Sequence, residues 1–389
     1  MVLSTPFEKL PTELVTIVLR NLESPDDIGS VIQADSHILH IYSQNQPYIL
    51  RPLRQALHHQ FPGQNLTQAA VACRLRKMES DFSCLTRAQV KEKVNQVLLR
   101  PPEPVARLNL RAMSTLYCLL EESRVLTADY SREAWNLAQY LAAEETGNCG
   151  PMIPLSSPLS ETEIEQMQKA YLLFDTYRHT LRYSTFLLQD YCTLGEQHMA
   201  SFYIPYEFAY QDKLVCVRTF QAVFRFVFRK YQHILNRDSW WMTVPTQPEI
   251  NGTAWRVAKK HFFKNPPQDD LQFSAFLSSQ NYQTLIDLQA MGEIQLVKRI
   301  ASLYRRYSRL KGNPLNSPLV MFADLKPWKE IGCAPDDMCC ELWISGAFML
   351  DKERLLQLGE GWIDYAWELK EYFGLDNQSD DESDDEFGV

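Results

Sequence analysis

Residues 7–53 read FEKLPTELVTIVLRNLESPDDIGSVIQADSHILHIYSQNQPYILRPL, and the helix-start signals packed into them decide what the chain builds first. Pro11 follows Leu10 with a fixed φ and no N–H, which suits the first position of a helix, and Glu13 places negative charge in its first turn. Leu14, Ile17, Val18 and Leu22 recur at intervals of three and four, so the spacing predicts one apolar face. A second start follows at once: Ser24 as capping hydroxyl, Pro25 in first position and Asp27 as the acidic third residue, ahead of Ile28, Val31 and Ile32. A third helix is expected from about Ser36. Isolated helices shorter than ~12–15 residues are marginal in water, so these segments need a partner surface.

The ordered pattern L-P-x-E-L-x-x-x-[IV]-L-x-x-L, then S-P-x-D-[IL] and a small apolar helix, resembles an F-box, and QADSHILHIYSQNQPYIL is similar to the F-boxes of filamentous-fungal proteins. The resemblance implies a module that docks on the Skp-type adaptor of an SCF (cullin-RING) ubiquitin ligase. Carried over position by position, it implies that Leu10, Pro11, Leu14, Ile17, Leu22, Pro25, Ile28 and Val31 contact the adaptor or support the surface that does. Where many F-boxes carry a Cys-Lys-x-Trp-like run after the second helix, this chain has Ala34, Asp35, Ser36 and His37. The alternative reading of the same residues is an ordinary helical subdomain packed on its own chain.

Outward from that stretch, composition favours helices. Fourteen glycines in 389 residues is about half the usual ~7%, which disfavours tight hairpins and phosphate-cradling loops. The net charge is −9, but residues 376–389 hold seven acidic side chains and no basic one, which leaves the rest nearly neutral. That balance gives neither the basic footprint of a nucleic-acid binder nor a uniformly acidic surface. The nine cysteines are an odd number with no C-x-x-C pair, and read as reduced thiols. The start MVLSTPFEKLP lacks the basic and apolar regions of a signal peptide, and no run approaches ~18 uninterrupted apolar residues. The expected location is cytoplasm, nucleus or both.

Residues 54–145 read as a helical subdomain broken by PPEP at 101–104, its last helix carrying Tyr130, Ala134, Leu137 and Leu141. Residues 146–160, TGNCGPMIPLSSPLS, read as a connecting loop. A helical body is expected over 161–375. Ser160 and Glu163 form a capping box in front of Ile164, Met167, Tyr171, Phe174, Leu181 and Leu188, a helix expected to reach about Tyr191. Val217, Phe220, Phe224, Val227, Tyr231 and Ile234 predict another from about Val215 to Leu235, with its aromatic stripe in the core. VPTQPEINGT at 244–253 and NPPQDD at 265–270 interrupt the pattern. A long segment from about Asp270 to Leu310 then reads as one helix or two meeting near Gly292. HFFKNPPQDDLQFSAFLSSQNYQTL also resembles segments downstream of the box in the same fungal proteins. A final helix is expected from Gly361 to Tyr372, within a stretch rich in tryptophan. No repeat of 20–50 residues is present.

No nucleotide, zinc-protease or nucleophile-elbow motif occurs. Gly359 and Gly361 in LGEGW read as a turn between helices. Cys333, Cys339 and Cys340 lack zinc-site spacing, and His58 and His59 point about 100° apart on one helix. Arginines interleave with aromatics at 217–233 and 297–311, a pattern that can bind single strands by stacking. The aromatics keep the helix period, however, so the alternative is a buried stripe with a solvated basic face. The tail 376–389 is expected to be disordered and self-repelling. Within it Ser379 and Ser383 precede acids in the manner of casein-kinase-like acidophilic sites. The reading is therefore an all-α chain: a three-helix F-box-like module at 7–53, an irregular helical body and an acidic tail. The resemblance implies a substrate receptor with no active site, cofactor or metal of its own, whose partners are the adaptor and a protein substrate. The alternative is a helical scaffold or nucleic-acid-associated protein not assembled into a ligase.

Overall fold

The computed structural model describes residues 9–62, 65–78, 108–146, 158–184, 226–237, 252–264, 271–278, 282–310 and 349–359, with isolated positions at 89, 92–93, 96–97, 222–223, 280 and 346. Every regular element among them is helical and none is a strand. The chain divides into two compact units, Met1–Leu85 with Glu92–Val125, and Thr86–Lys91 with Leu126–Val389.

In the first unit, α1 (Thr12–Arg20), α2 (Pro25–Ala34), α3 (Ser36–Ile49), α4 (Arg51–Gln60) and α5 (Asn65–Met78) follow one another, joined later in the chain by the start of α6 (Leu110–Thr146). Pro11 is the N-cap of α1 and Thr12 its first helical residue, one position later than the sequence suggests. The second start is as expected: Pro25 opens α2, and the Ser24 hydroxyl accepts from the amides of Asp26 and Asp27 at 3.2 and 3.1 Å. The third helix starts at Ser36, with the Asp35 carboxylate capping it through the amide of His37 at 2.8 Å. α1 and α2 both pack on α3. Burial of Leu19, Ile28, Ile38, Ile41, Ile49, Leu53 and Leu57 makes this core; each such side chain contributes roughly 1.5–3 kcal/mol.

The expected boundary at residue 53 falls inside α4, and α4, α5 and the first part of α6 belong to the same compact unit as α1–α3. The physical reason is visible in the contacts that α6 makes on both sides of it. Arg76 on α5 makes a two-pronged ion pair with Glu122 on α6, at 3.0 and 2.6 Å. The Tyr117 hydroxyl donates to the Leu53 carbonyl at 3.3 Å, and Ser114 hydrogen-bonds Asp26. PPEP lies outside the described residues.

In the second unit, α6 buries Tyr130, Ala134 and Leu141 as their spacing predicts, with Leu137 half-buried. The capping box is present: the Glu163 amide donates to the Ser160 hydroxyl at 3.0 Å, and the Ser160 amide donates to the Glu163 carboxylate at 2.9 Å. It opens α7 (Glu161–Ser184), whose expected end at Tyr191 lies outside the described residues, as do Leu188, Val217, Phe220 and Phe224. Met167, Tyr171 and Phe174 are buried, and so are Val227, Tyr231 and Ile234 in the helical run 226–236.

Between the two interruptions at 244–253 and 265–270, where the sequence reading assigns no element, stands α8 (Thr253–Phe262). The segment expected as one or two helices is three: α9 (Leu271–Ser278), α10 (Tyr282–Ala290) and α11 (Glu293–Leu310). The break at Gly292 is where the sequence puts it; the break before Tyr282 is not signalled by glycine or proline, and there the Gln280 amide turns back to the Leu277 carbonyl at 2.9 Å. Rings of Phe262, Phe273, Phe276, Tyr304 and Tyr307 bind α8, α9 and α11 together at centroid distances of 5.0–6.3 Å. Such edge and offset pairs add ~0.5–1.5 kcal/mol each beyond burial.

A short helix, α12 (Lys352–Leu355), runs into a 3-10 turn at Leu356–Leu358, closed by Gly359 at φ 117°. Leu358 packs on the cluster of Ala138, Leu141 and Ala142 on α6. Arg354 reaches Glu163 with Nε at 2.6 Å from one carboxylate oxygen and Nη2 at 2.8 Å from the other. Gly346, at φ 77°, lies where any Cβ would meet the Tyr130 ring and hydroxyl, so it is fixed both by its backbone and by close approach. The expected helix at 361–372 and the acidic tail lie outside the described residues.

Candidate protein-docking face

Helix α1 turns two faces in different directions. Val15 and Leu19, at 2% and 1% exposure, are sunk into the first unit, and Thr16 is buried with its hydroxyl satisfied by the Thr12 carbonyl at 2.8 Å. Leu14, Ile17 and Val18 are 49%, 49% and 50% exposed, and Leu10 just ahead of the helix is 38% exposed. At 100° per residue Leu14, Ile17 and Val18 share an arc of about 100°, so three large apolar side chains form one ridge. The predicted stripe is real but it faces outward, and the helix is held to its unit by the residues between. Leu22 is not part of that stripe: it follows the end of the helix at Arg20 and is half-buried.

The remaining expected residues divide by depth. Pro11 is exposed and Val31 half-buried, whereas Pro25 is buried and Ile28 is 0% exposed. Ile28 therefore touches only its own chain and supports the α1–α3 arrangement from beneath. Val18, expected on the apolar face by its i, i+4 spacing from Leu14 but not among the residues that the resemblance assigns to the adaptor, completes the ridge. One feature has no signal in the sequence. At the end of α1 the Arg20 guanidinium lies 4.3 Å over the ring of Tyr48 on α3 and donates to its hydroxyl. That contact joins residues 28 positions apart, which no local pattern encodes. Arg20 also places a cation in the last turn and Glu13 an anion in the first, both favourable for the helix dipole.

The chemistry of this face is apolar contact. It holds no constellation for bond-making, and among the described residues no group of three or more histidine, cysteine or acidic side chains could hold a metal. His58 and His59 are both exposed on α4. Cys73 is a buried thiol and Cys118 an exposed one, and the pKa of Cys118 is raised by partial burial and by Asp26 and Glu122. No helix among the described residues is long and apolar enough to cross a membrane. In the two basic stretches the described aromatics face inward: Phe226, Phe228 and Tyr231 are at most 2% exposed, Tyr304 and Tyr307 3%. None of these rings offers a face to a nucleic-acid base. Ser379, Ser383, Cys333, Cys339 and Cys340 lie outside the described residues.

No family model, curated protein or solved structure matches the chain.

Proposed function

We propose that this chain is an F-box protein: its α1 ridge docks on the Skp-type adaptor of a cullin-RING ubiquitin ligase, and its helical body presents a protein substrate to the other subunits. The observation that carries the reading is the exposure of Leu14, Ile17 and Val18 on a nine-residue helix whose opposite edge is already buried. The exposed halves of these three aliphatic side chains add nothing to the chain's own fold, whereas their burial by a second chain would gain roughly 1 kcal/mol or more each. The position of the ridge within the Leu-Pro-x-Glu-Leu and Ser-Pro-Asp-Asp pattern is what directs the proposal to an adaptor rather than to an arbitrary protein. In this reading Leu10, Pro11, Leu14 and Ile17 form the contact, Leu22 and Val31 its margin, and Pro25 and Ile28 its support. The protein performs no chemistry itself.

Titration calorimetry of the full chain against a purified Skp-type adaptor tests this. Saturable binding is expected, lost in Leu14→Arg with Ile17→Arg while the circular dichroism melt stays unchanged. A folded wild-type chain that fails to bind, or a double variant that binds equally well, would overturn it and leave the scaffold reading.

A further inference from the structure

The opposite kind of surface lies on the second unit. Helix α8 carries Arg256, Lys259, Lys260 and, two residues beyond its end, Lys264, with no acidic residue; α11, packed against it, carries Lys298, Arg299, Arg305 and Arg306 against the single acid Glu293. In a chain of net charge −9 this is a concentrated positive face. Arg256, Lys260 and Lys264 are exposed and form no ion pair among the described residues. Between the helices lies a cavity of about 300 Å³ lined by Val257, Lys260, His261 and Lys264 of the α8 segment and by Tyr304 and Ser308 of α11. The four α8-side residues recur at i, i+3, i+4 and i+7, one continuous face. Its floor is firm, because the His261 ring stacks on Tyr304 at 4.7 Å and Phe262 meets the same ring edge-on at 5.0 Å. An exposed aromatic, Phe263, stands beside it with the Lys259 ammonium 5.6 Å over its ring.

We propose that this face is the docking site of the chain's own acidic tail, residues 376–389. The tail places seven carboxylates and no cation in fourteen residues, followed closely by a single aromatic, Phe387. That is the complement of the cavity: ammonium groups around an apolar pocket bounded by Val257 and the Tyr304 ring, large enough for one aromatic side chain. Covalent attachment favours this occupant over a free one. Residues 360–375 span at most roughly 55 Å when extended, whereas a compact unit of this size has a radius of gyration under roughly 20 Å, so the tail is presented at millimolar effective concentration. The contact makes the basic face self-covered, and an acidic partner must displace the tail to reach it. Phosphate on Ser379 or Ser383 would add about −1.5 to −2 charges each and hold the tail more firmly.

Zero-length carbodiimide coupling of the full chain, which joins an ammonium to a carboxylate only where they touch, tests this. Cross-links are expected from Lys260 and Lys264 to carboxylates of the tail, falling about tenfold between ~0.05 and ~0.5 M salt. They should also fall when Phe387 is changed to Ser, and the tail's remaining cross-links should scatter when Lys260→Glu and Lys264→Glu are combined. Both lysines are exposed, and an unchanged melt verifies the fold. Performed on mixed 14N and 15N chains, the links should stay within one isotope; links between isotopes would overturn the intramolecular contact in favour of a second copy. Tail cross-links spread evenly over the chain's lysines would overturn it too. So would oligonucleotide binding that requires Lys260 and Lys264 but is indifferent to neutralising the tail's seven acids.

Discussion

Helices α1 and α11 are both two-faced, and they use the two faces in opposite ways. In α11 the apolar side, Leu296, Val297, Ile300, Tyr304 and Tyr307, is buried, while Lys298, Arg299 and Arg306 face water. In α1 a narrow edge of Val15 and Leu19 is buried and the broader apolar ridge of Leu14, Ile17 and Val18 is left outside. Periodicity reports that such a face exists and says nothing about whose surface covers it. When a short helix is anchored by two residues and displays three more, the displayed ones are available to another chain.

The contrast breaks first at the inner face of α11. Tyr304→Ala removes a ring that touches His261, Phe262, Phe273 and Tyr307, and should cost about 3–5 kcal/mol in denaturant unfolding of the full chain. Arg354→Met should cost a similar ~3–5 kcal/mol, because it strands the Glu163 carboxylate, 0% exposed, without its cation. The inner edge of α1 comes next: Leu19→Ala should cost about 2–4 kcal/mol, with hydrogen exchange locating the loss in α1–α3.

Acid sharpens the same contrast. Burial pushes the Glu163 carboxyl upward, but hydrogen bonds from Arg354 and from the amides of Asp351 and Ser160, with the charge of Arg354, outweigh it and hold its pKa below the ordinary 4.5. A depressed carboxylate pKa contributes stability that is present above about 4.5 and lost as pH falls through the lower folded value. The second unit should therefore lose protection below pH ~4.5, and a Glu163→Gln chain, already weakened at neutral pH, should show less of that decline. The smallest expected effect is on the ridge. Leu14→Ser should change unfolding free energy by no more than ~0.5 kcal/mol, while weakening adaptor binding; a loss as large as that of Leu19→Ala would show that the ridge is part of the fold.

Local signals were legible where a few neighbouring residues set the geometry. Ser24 with Pro25 and Ser160 with Glu163 specify helix starts through hydrogen bonds spanning three positions, and both are present as read. Burial of Tyr130, Ala134, Tyr171 and Tyr231 followed from their period. The rest depends on partners distant in sequence. Nothing near Arg354 announces Glu163, 191 residues away, and nothing within 9–20 distinguishes the buried edge of α1 from its ridge until α3 is placed beside it. Helix α8 went unread because it is ten residues long between two proline-rich interruptions, and its cations hide a buried set of only Trp255, Ala258 and Phe262. The ridge itself was legible as a set of residues, but its outward orientation came from the F-box resemblance and not from the period.

Glu163 is shared between two tasks that are usually separate. One oxygen receives the Ser160 amide at the head of α7, and the other receives the Asp351 amide at 2.9 Å together with Arg354. The fraying of that helix and the lifting of the segment around residue 351 are thereby one event, and amide exchange at Ser160 should keep time with exchange at Asp351. A spectroscopist watching a single proton near the middle of the chain would be listening to its carboxyl end.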